Sequence, residues 1–391
     1  MRIIWVRPIL TAIYSSSELE VIRCLERMGH EITLISTCSR RLFESECTGI
    51  RERHIPMKYI PVLSSIMFTV ILFFELPFYV AFWSPDIVLM DVDISMIGSI
   101  SSLVLSKLTR TKFLFDIRSM PVEISGFYGR IKECAYSLAI HYGREFFDGA
   151  TVITSNMKSS ICETYRLNPR KVGVWSSGVS TDKFKPISPT ESNKIKSELG
   201  LDGKFVVFYH GSVSPTRGLV ETVEAISLLK AKYPDIVFFL LGLGPTLNKI
   251  KILIHKLCIE TSIVIHKPVH YKYVPKFIAM ADVCISPLPP NPYWVFQAPL
   301  KVLEYLAMGK VVIVTDIPAH RLVIGSKICG VYVSSTNPIE IAKAIEYTYN
   351  NKTYLESWGK VGLEIIEKDY TWDKVAKKLE LFLLSISSKK H

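Results

Sequence analysis

Short apolar runs alternate with amphipathic segments along almost the whole chain. Residues 3–6 form the first apolar run, and the capping box Ser17-Glu18-Leu19-Glu20 predicts a helix that begins soon after it. Apolar residues recur on one face of that helix, Gly29 marks its end, and residues 31–36 form the next strand. This order of strand, helix and strand predicts a βαβ unit with parallel strands.

The alternation continues in two series that a polar segment separates. Residues 176–193 are small, polar and proline-containing without periodicity, so they are the best candidate for a linker. The pattern predicts two doubly wound α/β domains, 1–178 and 179–371. The second ends in a turn at 368–371, and a last helix follows at about 372–384. The other predicted strands are 86–91, 112–116, 150–154 and 171–175 in the first series, and 205–209, 236–241, 262–265, 283–286, 311–314 and 331–333 in the second.

The composition limits the class of partner. The 391 residues are 49% hydrophobic, which suits a globular protein with two cores. An excess of 47 Lys and Arg over 36 Asp and Glu gives a net charge of +11, which favours nucleotide phosphate, nucleic acid or an anionic membrane surface. The basic residues are spread along the chain without a zinc-finger, RNP or basic-zipper pattern, and this argues against nucleic acid.

The cysteines and the N-terminus bear on the compartment. The 8 Cys include no Cys-x-x-Cys pair and no His neighbour at metal-ligand spacing, so we expect buried free thiols in a reducing compartment. Arg7 and Pro8 end the first apolar run too soon for a signal peptide. We therefore expect a cytoplasmic protein.

Residues 59–83 form an apolar segment of nearly membrane-span length. Ser64, Ser65, Glu75 and Pro77 interrupt it, and it runs directly into the predicted strand at 86–91. A buried helix is the favoured interpretation. A helix lying against a membrane interface and a true span are the alternatives.

The first segment that carries chemistry is the predicted helix at 299–310. Lys301 and Glu304 lie three residues apart on one face of it, and leucines lie on the opposite face. The charged pair can therefore face a cleft, where the carboxylate suits ribose hydroxyls and the ammonium suits phosphate. The alternative is an ion pair on a solvated surface.

Two loops after predicted strands offer phosphate contacts. In 210–218, small residues allow backbone amides to approach a pyrophosphate, and Arg217 can supply a bidentate contact. The turn at 241–245, which contains Gly244, follows the next strand at the same edge of the sheet. An ordinary βα connection and a simple glycine-rich turn remain the respective alternatives.

These segments resemble the donor domain of the retaining glycosyltransferase family 4, which has the GT-B fold. The loop before Arg217-Gly218, the Gly-x-Gly-Pro turn at 242–245, residues 281–287 and the Lys-x-x-Glu-Tyr helix at 301–305 occur in the family's order and spacing. The resemblance covers nearly the whole chain and is weakest before about residue 110. It implies two Rossmann-like domains facing a cleft, with the C-terminal helix, 372–391, crossing back to the first domain.

The resemblance also implies a reaction. A hexose-type sugar would move from a UDP- or GDP-sugar to an acceptor with retention, without a divalent metal. Arg217 and Lys301 would act as catalytic residues by stabilising the charge that develops on the diphosphate, and Glu304 would hold the ribose. The donor-binding residues implied in this way are Gly211, Ser212, Arg217, Gly244, Lys301 and Glu304.

The chain departs from the family's pattern at three places. Phe296 stands where the family usually has a second Glu, which leaves the hexose contact in doubt. Residues 14–17 replace a Gly-Gly loop, so backbone approach there is less free. Residues 115–123 lack the family's frequent His and look like the branch with an Asp-x-Arg signature.

That third segment is expected to face the acceptor. Asp116 is predicted as a catalytic residue, and Arg118 and Glu123 as acceptor-side residues, because they follow the carboxyl end of a predicted strand. An ion pair between Asp116 and Arg118 that braces the loop is the alternative. A glycan or a lipid-linked acceptor is expected, the latter because the apolar segment around 66–74 has basic neighbours.

Other functions stay open beside this one. A nucleotide-sugar epimerase of the same architecture is one alternative, although the necessary acid and base groups cannot be assembled from the sequence. A non-catalytic, membrane-associated sugar-nucleotide binder is another. The expected partners are the nucleotide sugar, the acceptor and a membrane surface on the inner face, with no nucleic acid.

Overall fold

The chain divides into two compact units, each with its own parallel sheet. The computed structural model describes residues 1–8, 17–38, 51–57, 60, 63–120 and 126–387. The first unit contains Met1–Ser177, Phe296–Ala298 and the residues from Trp372 onward, and the second contains Gly178–Val295 and Pro299–Thr371. Residues 14–16 of the predicted loop at 14–17 lie outside the described residues.

The first unit has seven parallel strands within the described ranges. They are β1 (Arg2–Arg7), β2 (Glu31–Cys38), β3 (Arg51–Pro56), β4 (Ile87–Asp91), β5 (Lys112–Ile117), β6 (Gly149–Val152) and β7 (Val172–Val174). Their order is β3-β2-β1-β4-β5-β6-β7. The chain therefore moves outward from β1 on one side and from β4 on the other, which creates a topological switch point between these two strands.

Helices cover both faces of this sheet, and its central strands are apolar because they are buried on both sides. The helices are α1 (Ser17–Arg27), α2 (Leu63–Trp83), α3 (Ile100–Thr109), α4 (Gly126–Phe146) and α5 (Ser155–Tyr165). A 3₁₀ turn, Ile94–Ser99, precedes α3.

Helix α2 continues through Pro77, which cannot donate a hydrogen bond to the carbonyl four residues earlier. That carbonyl belongs to Phe73, and it accepts a hydrogen bond from Ser101 Oγ of α3 at 2.6 Å. The 3₁₀ turn also lies close to α2, because a Cβ on Gly98 would come within 2.4 Å of the Thr69 carbonyl oxygen. Polar contact and close packing thus hold α2 against its neighbours despite the proline.

Six parallel strands are described in the second unit, which has the same doubly wound plan. They are β8 (Phe205–Ser212), β9 (Ile236–Leu243), β10 (Ile263–His266), β11 (Val283–Ser286), β12 (Val311–Thr315) and β13 (Gly330–Val333). Their order is β10-β9-β8-β11-β12-β13, so the switch point lies between β8 and β11.

Nine α-helices belong to the second unit within the residues that the structure describes. They are α6 (Pro189–Glu198), α7 (Leu219–Leu229), α8 (Leu247–Lys256), α9 (Val274–Ala279), α10 (Pro292–Val295), α11 (Leu300–Ala307), α12 (Pro318–Ile324), α13 (Pro338–Asn350) and α14 (Leu355–Ile365). A 3₁₀ turn, Pro215–Arg217, precedes α7, and a π-helical turn, Ile366–Tyr370, follows α14.

The last helix, α15 (Trp372–Ser387), packs in the first unit as expected for the GT-B fold. Arg27 of α1 forms an ion pair with Asp373 at 2.8 Å, and His30 Nε2 lies 2.9 Å from Glu380 Oε1. These contacts join residues about 350 positions apart, so the C-terminal helix completes the first unit's core.

Most predicted elements are present, with ends that differ by a few residues, but one strand was not predicted and three expectations need correction. Strand β3 was missed because its sequence, Arg-Glu-Arg-His-Ile-Pro, is polar and mostly uncovered. The supposed linker contains the start of α6, which Ser188 caps by accepting from the Glu191 amide. The predicted turn at 368–371 is mostly π-helical. The six described cysteines are free, but Cys134 and Cys258 are exposed.

Candidate active site

Glycines let the chain approach itself closely at the carboxyl end of the second sheet. Gly211, at the end of β8, has a φ of +117°, and a Cβ there would lie 2.6 Å from Lys301 Cε. Gly218 has a φ of +65°, and a Cβ there would lie 2.0 Å from the Pro287 carbonyl oxygen. The loop after β8 therefore lies against both α11 and the loop after β11, at the switch point.

The end of β9 joins the same edge. A Cβ on Gly244 would come within 2.3 Å of the Val213 carbonyl oxygen, and that carbonyl accepts a hydrogen bond from the Thr246 amide at 3.1 Å. Gly242 pairs with Gly211 across the two strands. The glycines that the sequence grouped into two separate loops thus form one surface of closely spaced backbone.

Lys301, in the first turn of α11, extends its side chain along this surface. Its ammonium lies 5.4 Å from the centre of the Tyr209 ring and makes no hydrogen bond or ion pair with the part of the chain that the structure describes. Burial and, after it, the nearby Arg217 lower the pKa of Lys301 to about 7, although Glu304 opposes this. A cation that forms no ion pair within the described residues suits an anionic ligand.

Glu304, one turn later on α11, is buried and held at both carboxylate oxygens. Tyr271 Oη donates to Oε1 at 2.6 Å, and His210 Nε2 lies 2.9 Å from Oε2. Since Glu304 is buried and forms no ion pair with Lys301, the two residues are not the solvated surface pair that the sequence left open. A carboxylate has about four lone-pair positions, so two hydrogen bonds leave room for ribose hydroxyls.

Both ring nitrogens of His210 have hydrogen-bond partners. The His210 backbone amide donates to Tyr305 Oη at 3.2 Å, so the Tyr305 hydroxyl hydrogen is available to His210 Nδ1, 3.1 Å away. The other ring nitrogen contacts Glu304, so His210 links the Tyr305 hydroxyl to the carboxylate. These contacts, which begin at the buried Tyr305, hold the Glu304 carboxylate in one orientation.

Arg217 ends the 3₁₀ turn before α7 and stacks on an aromatic side chain. Its guanidinium carbon lies 4.1 Å from the centre of the Trp294 ring, and Trp294 Nε1 donates to the Thr216 carbonyl at 3.0 Å. The stack orientates the guanidinium plane, as suits a bidentate contact to phosphate. Ser212 is exposed at the end of β8, and its carbonyl accepts from Tyr209 Oη at 2.8 Å.

The six residues predicted to bind the donor all lie at this edge of the second sheet. Sequence analysis assigned no role to His210 or Tyr271, which orientate Glu304. His210 ends the buried part of β8 directly before the glycine loop, and that position was an available signal. Tyr271 precedes a short helix far from any motif, and no sequence pattern singles it out.

Asp116, at the end of β5, is fully buried in the first unit. Its Oδ1 accepts hydrogen bonds from Thr151 Oγ1 at 2.5 Å and from Trp175 Nε1 at 3.0 Å, whereas Oδ2 has no partner among the described residues. Burial raises the pKa of Asp116 to about 6, although Arg118 and the two hydrogen bonds oppose this. One carboxylate oxygen is therefore left for another group.

Arg118 is held mainly through the same tryptophan. Its guanidinium carbon lies 3.6 Å from the centre of the Trp175 ring, and Nη1 donates to the Trp175 carbonyl at 2.9 Å. Among the described residues, Trp175 joins Asp116 and Arg118, rather than the direct ion pair that was the alternative. Glu123, the third residue predicted on this side, lies outside the described residues.

Asp116 and Arg118 line a pocket of about 610 Å³ at the switch point of the first sheet. Arg7 Nη1 contacts Glu18 at 2.8 Å and Arg7 Nε contacts Asp91 at 3.1 Å on its wall. The pocket is mixed in character, because α2 and α4 add apolar and aromatic side chains. A ligand with hydroxyls and an apolar part fits this lining.

No group of three or more His, Cys, Asp or Glu side chains in the described ranges is arranged to hold a metal ion. Asp91 and Asp93 have other partners. Asp91 pairs with Arg7, and Asp93 caps the 3₁₀ turn by accepting from the Ser95 amide at 2.9 Å.

Two family models match the chain in the order of its two units. The model described as Glycosyltransferase Family 4 matches residues 18–183, and the one described as Glycosyl transferases group 1 matches residues 191–364. The chain belongs to glycosyltransferase family 4. The resemblance carried by the Lys-x-x-Glu-Tyr helix and its neighbouring loops is thereby confirmed.

Known proteins resemble this glycosyltransferase at low identity. It is 22% identical over 265 residues to the putative glycosyltransferase YtcC of Bacillus subtilis, a match that spans 64% of each chain and so less than two thirds of that relative. The crystal structure of a glycosyltransferase from Rickettsia africae ESF-5 matches with a TM-score of 0.78 at 19% identity, over 100% of this chain and 99% of the other.

The structure of Anabaena Alr3699/HepE in complex with UDP matches with a TM-score of 0.77 at 14% identity, over 98% of this glycosyltransferase and 100% of that chain. Together with the two parallel α/β sheets, these likenesses confirm the predicted GT-B fold of two Rossmann-like domains.

Proposed function

We propose that this chain transfers a hexose-type sugar from a nucleoside-diphosphate sugar to an acceptor, with retention and without a metal ion. One observation carries the proposal. The half-buried Lys301 ammonium makes no ion pair within the described residues, and it lies near Arg217 and the orientated Glu304 carboxylate at the switch point of the second sheet. Groups suited to contact phosphate, groups suited to contact ribose and glycines that allow close backbone approach thus occur together at one edge of the second sheet.

Each group has a distinct task in this proposal. The ribose hydroxyls donate to the remaining lone pairs of Glu304, whose direction Tyr271 and His210 set. Lys301 and Arg217 contact the diphosphate, which gains negative charge as its bond to the sugar breaks. Fixed cations near that charge stabilise the transition state more than the ground state, which is the condition for catalysis.

The pocket of the first unit supports a polar acceptor. A sugar or lipid-headgroup hydroxyl that enters it can donate to Asp116 Oδ2, the oxygen without a partner among the described residues. This gives Asp116 and Arg118 the acceptor-side role expected from the sequence. We include in the proposal a glycan or lipid-linked acceptor and a cytoplasmic position at the inner membrane face.

A thermal-shift screen with UDP, GDP and ADP tests the donor site. A diphosphate present at 100 times its dissociation constant stabilises the fold by about 2.7 kcal/mol. We expect one base to give the largest shift, and Glu304→Gln to lose most of that shift while keeping the response to inorganic pyrophosphate, which has no ribose. Equal responses of both proteins to the nucleotide would remove Glu304 from the site.

Turnover separates a transferase from a binder. We expect the nucleotide sugar that stabilises the protein to release its diphosphate when a suitable acceptor is present, and proton NMR of the product to show retention. Binding without release over a wide range of acceptors would favour a non-catalytic sugar-nucleotide binder.

A further inference from the structure

Helix α2 turns an apolar face outward. Only one stripe of it, at every fourth residue from Ser64 to Val80, is buried against the first unit, so the favoured prediction of a buried helix holds for this stripe alone. Phe78 is 63% exposed and Phe82 is 85% exposed, with their rings stacked 6.4 Å apart. The exposed apolar side chains of α2 are Leu63, Ile66, Met67, Val70, Phe73, Phe74, Phe78 and Phe82.

Helix α3 extends this face. It packs beside α2 through the Ser101 hydrogen bond to Phe73, and it exposes Ile100, Val104 and Leu108 at intervals of four residues. We call the exposed side chains of the two helices the apolar face. A surface helix normally exposes polar residues and buries apolar ones, and a contiguous exposed apolar patch marks an interaction surface.

The charges around the apolar face are mostly positive. Glu75, the one charged residue of α2, is paired with Arg53 at 2.9 Å. The Arg51 guanidinium lies 5.7 Å from the Trp83 ring at the end of α2, and α3 carries Lys107 and ends at Arg110. Apolar side chains bordered by Lys and Arg match the boundary between the acyl chains and headgroups of an anionic bilayer.

We propose that the apolar face docks on the surface of an anionic phospholipid bilayer. Helix α2 is long and apolar enough to cross a membrane by length and composition. It lies in the interface instead, because its stripe at Phe68, Leu72 and Leu76 belongs to the core under the first sheet and Ser101 holds the backbone at Pro77. A span would require all of these contacts to break.

Docking would also bring the pocket of the first unit to the bilayer. Ser65 and Ile66, in the first turn of α2, line the pocket that contains Asp116. A lipid-linked acceptor held in the membrane would then present its polar group at the pocket while its chains stay among the phospholipids. This consequence rests on the proposed function, whereas the docking itself does not.

Flotation of the full chain with vesicles tests the docking. The protein should float with vesicles of phosphatidylcholine mixed with phosphatidylglycerol, and less with phosphatidylcholine alone. The double variant Phe78→Gln/Phe82→Gln should lose binding by about tenfold or more, since two exposed aromatic side chains no longer enter the interface. Lys107→Glu should lose mainly the preference for anionic vesicles.

Matched controls lie next to each other on α8. Ile252 is 71% exposed and Lys251 is exposed beside it, and Ile252→Gln and Lys251→Glu should float like the unaltered protein. Unchanged circular dichroism and melting temperature would show that the variants fold.

Three results would overturn the proposal: no flotation with either vesicle, equal flotation of the double variant, or a dimer that the double variant converts to a monomer without any vesicle binding. Nucleoside-diphosphate binding is measured in the same samples without vesicles. A protein that floats but binds no nucleotide keeps the docking surface and loses the proposed function. A protein that binds nucleotide but does not float keeps the donor site and loses the docking surface.

Discussion

The two sheets of this glycosyltransferase differ in how the charged side chains at their switch points are paired. In the second unit, Lys301 is half-buried near Arg217 and makes no hydrogen bond or ion pair within the described ranges. In the first unit, Arg7 contacts the carboxylates of both Glu18 and Asp91, at 2.8 and 3.1 Å. One site holds a cation without an ion pair among the described residues, and the other holds a cluster of closely paired charges.

This difference indicates which groups serve binding and which serve the fold. A buried charge without a partner lowers stability and suits a position where a ligand brings the counter-charge. A buried charge with close partners belongs to the folded framework, and removing one member leaves the others uncompensated. Substitutions should therefore lower stability in the first unit's cluster and lower ligand affinity at the second unit's site.

The largest expected effect is on Glu18. Although burial opposes it, Arg7 and Arg118 hold the pKa of Glu18 below its ordinary value. Glu18→Gln should lower the free energy of unfolding in urea by about 3 kcal/mol, because both guanidinium groups lose a charged partner. Glu26→Gln, on the same helix and without a described ion pair, is the control, and equal losses in the two variants would contradict the comparison.

Next in size is the contrast between two half-buried lysines of the second unit. Lys301→Met should weaken nucleoside-diphosphate binding about 30-fold, or about 2 kcal/mol, without lowering stability. Lys310 donates to the carbonyls of Ala279 and Ala281 at 2.8 and 2.7 Å, so Lys310→Met should lose stability and keep its affinity. Titration calorimetry and urea unfolding measure both quantities, and an unstable Lys301→Met protein with normal affinity would reverse the assignment.

The smallest effect is a pH dependence. The pKa of Lys301 in the empty site is about 7, and a bound diphosphate raises it by supplying negative charge, so binding takes up a proton above pH 7. Affinity should therefore fall as the pH rises above 7, by at most about tenfold per pH unit. The Lys301→Met protein should lack this slope, and an identical slope in both proteins would assign the proton to another group.

Local patterns were enough for much of the fold and for part of the site. The strands and most helices follow from periodicity and turn residues, which act over a few positions. Lys301 and Glu304 share a face because they are three residues apart on one helix. The polar edge strand β3 escaped prediction because an uncovered strand has no apolar alternation to reveal it.

The sequence by itself determined the two α/β domains and the residue types that meet a nucleotide. Only the tertiary structure decided that His210 and Tyr271, 94 and 33 residues from Glu304, hold its carboxylate. It also decided that one stripe of α2 is buried and the rest faces outward. The physical reason is the same in both cases: sheet order and helix packing bring distant residues together, and no local pattern records which neighbour each side chain will meet.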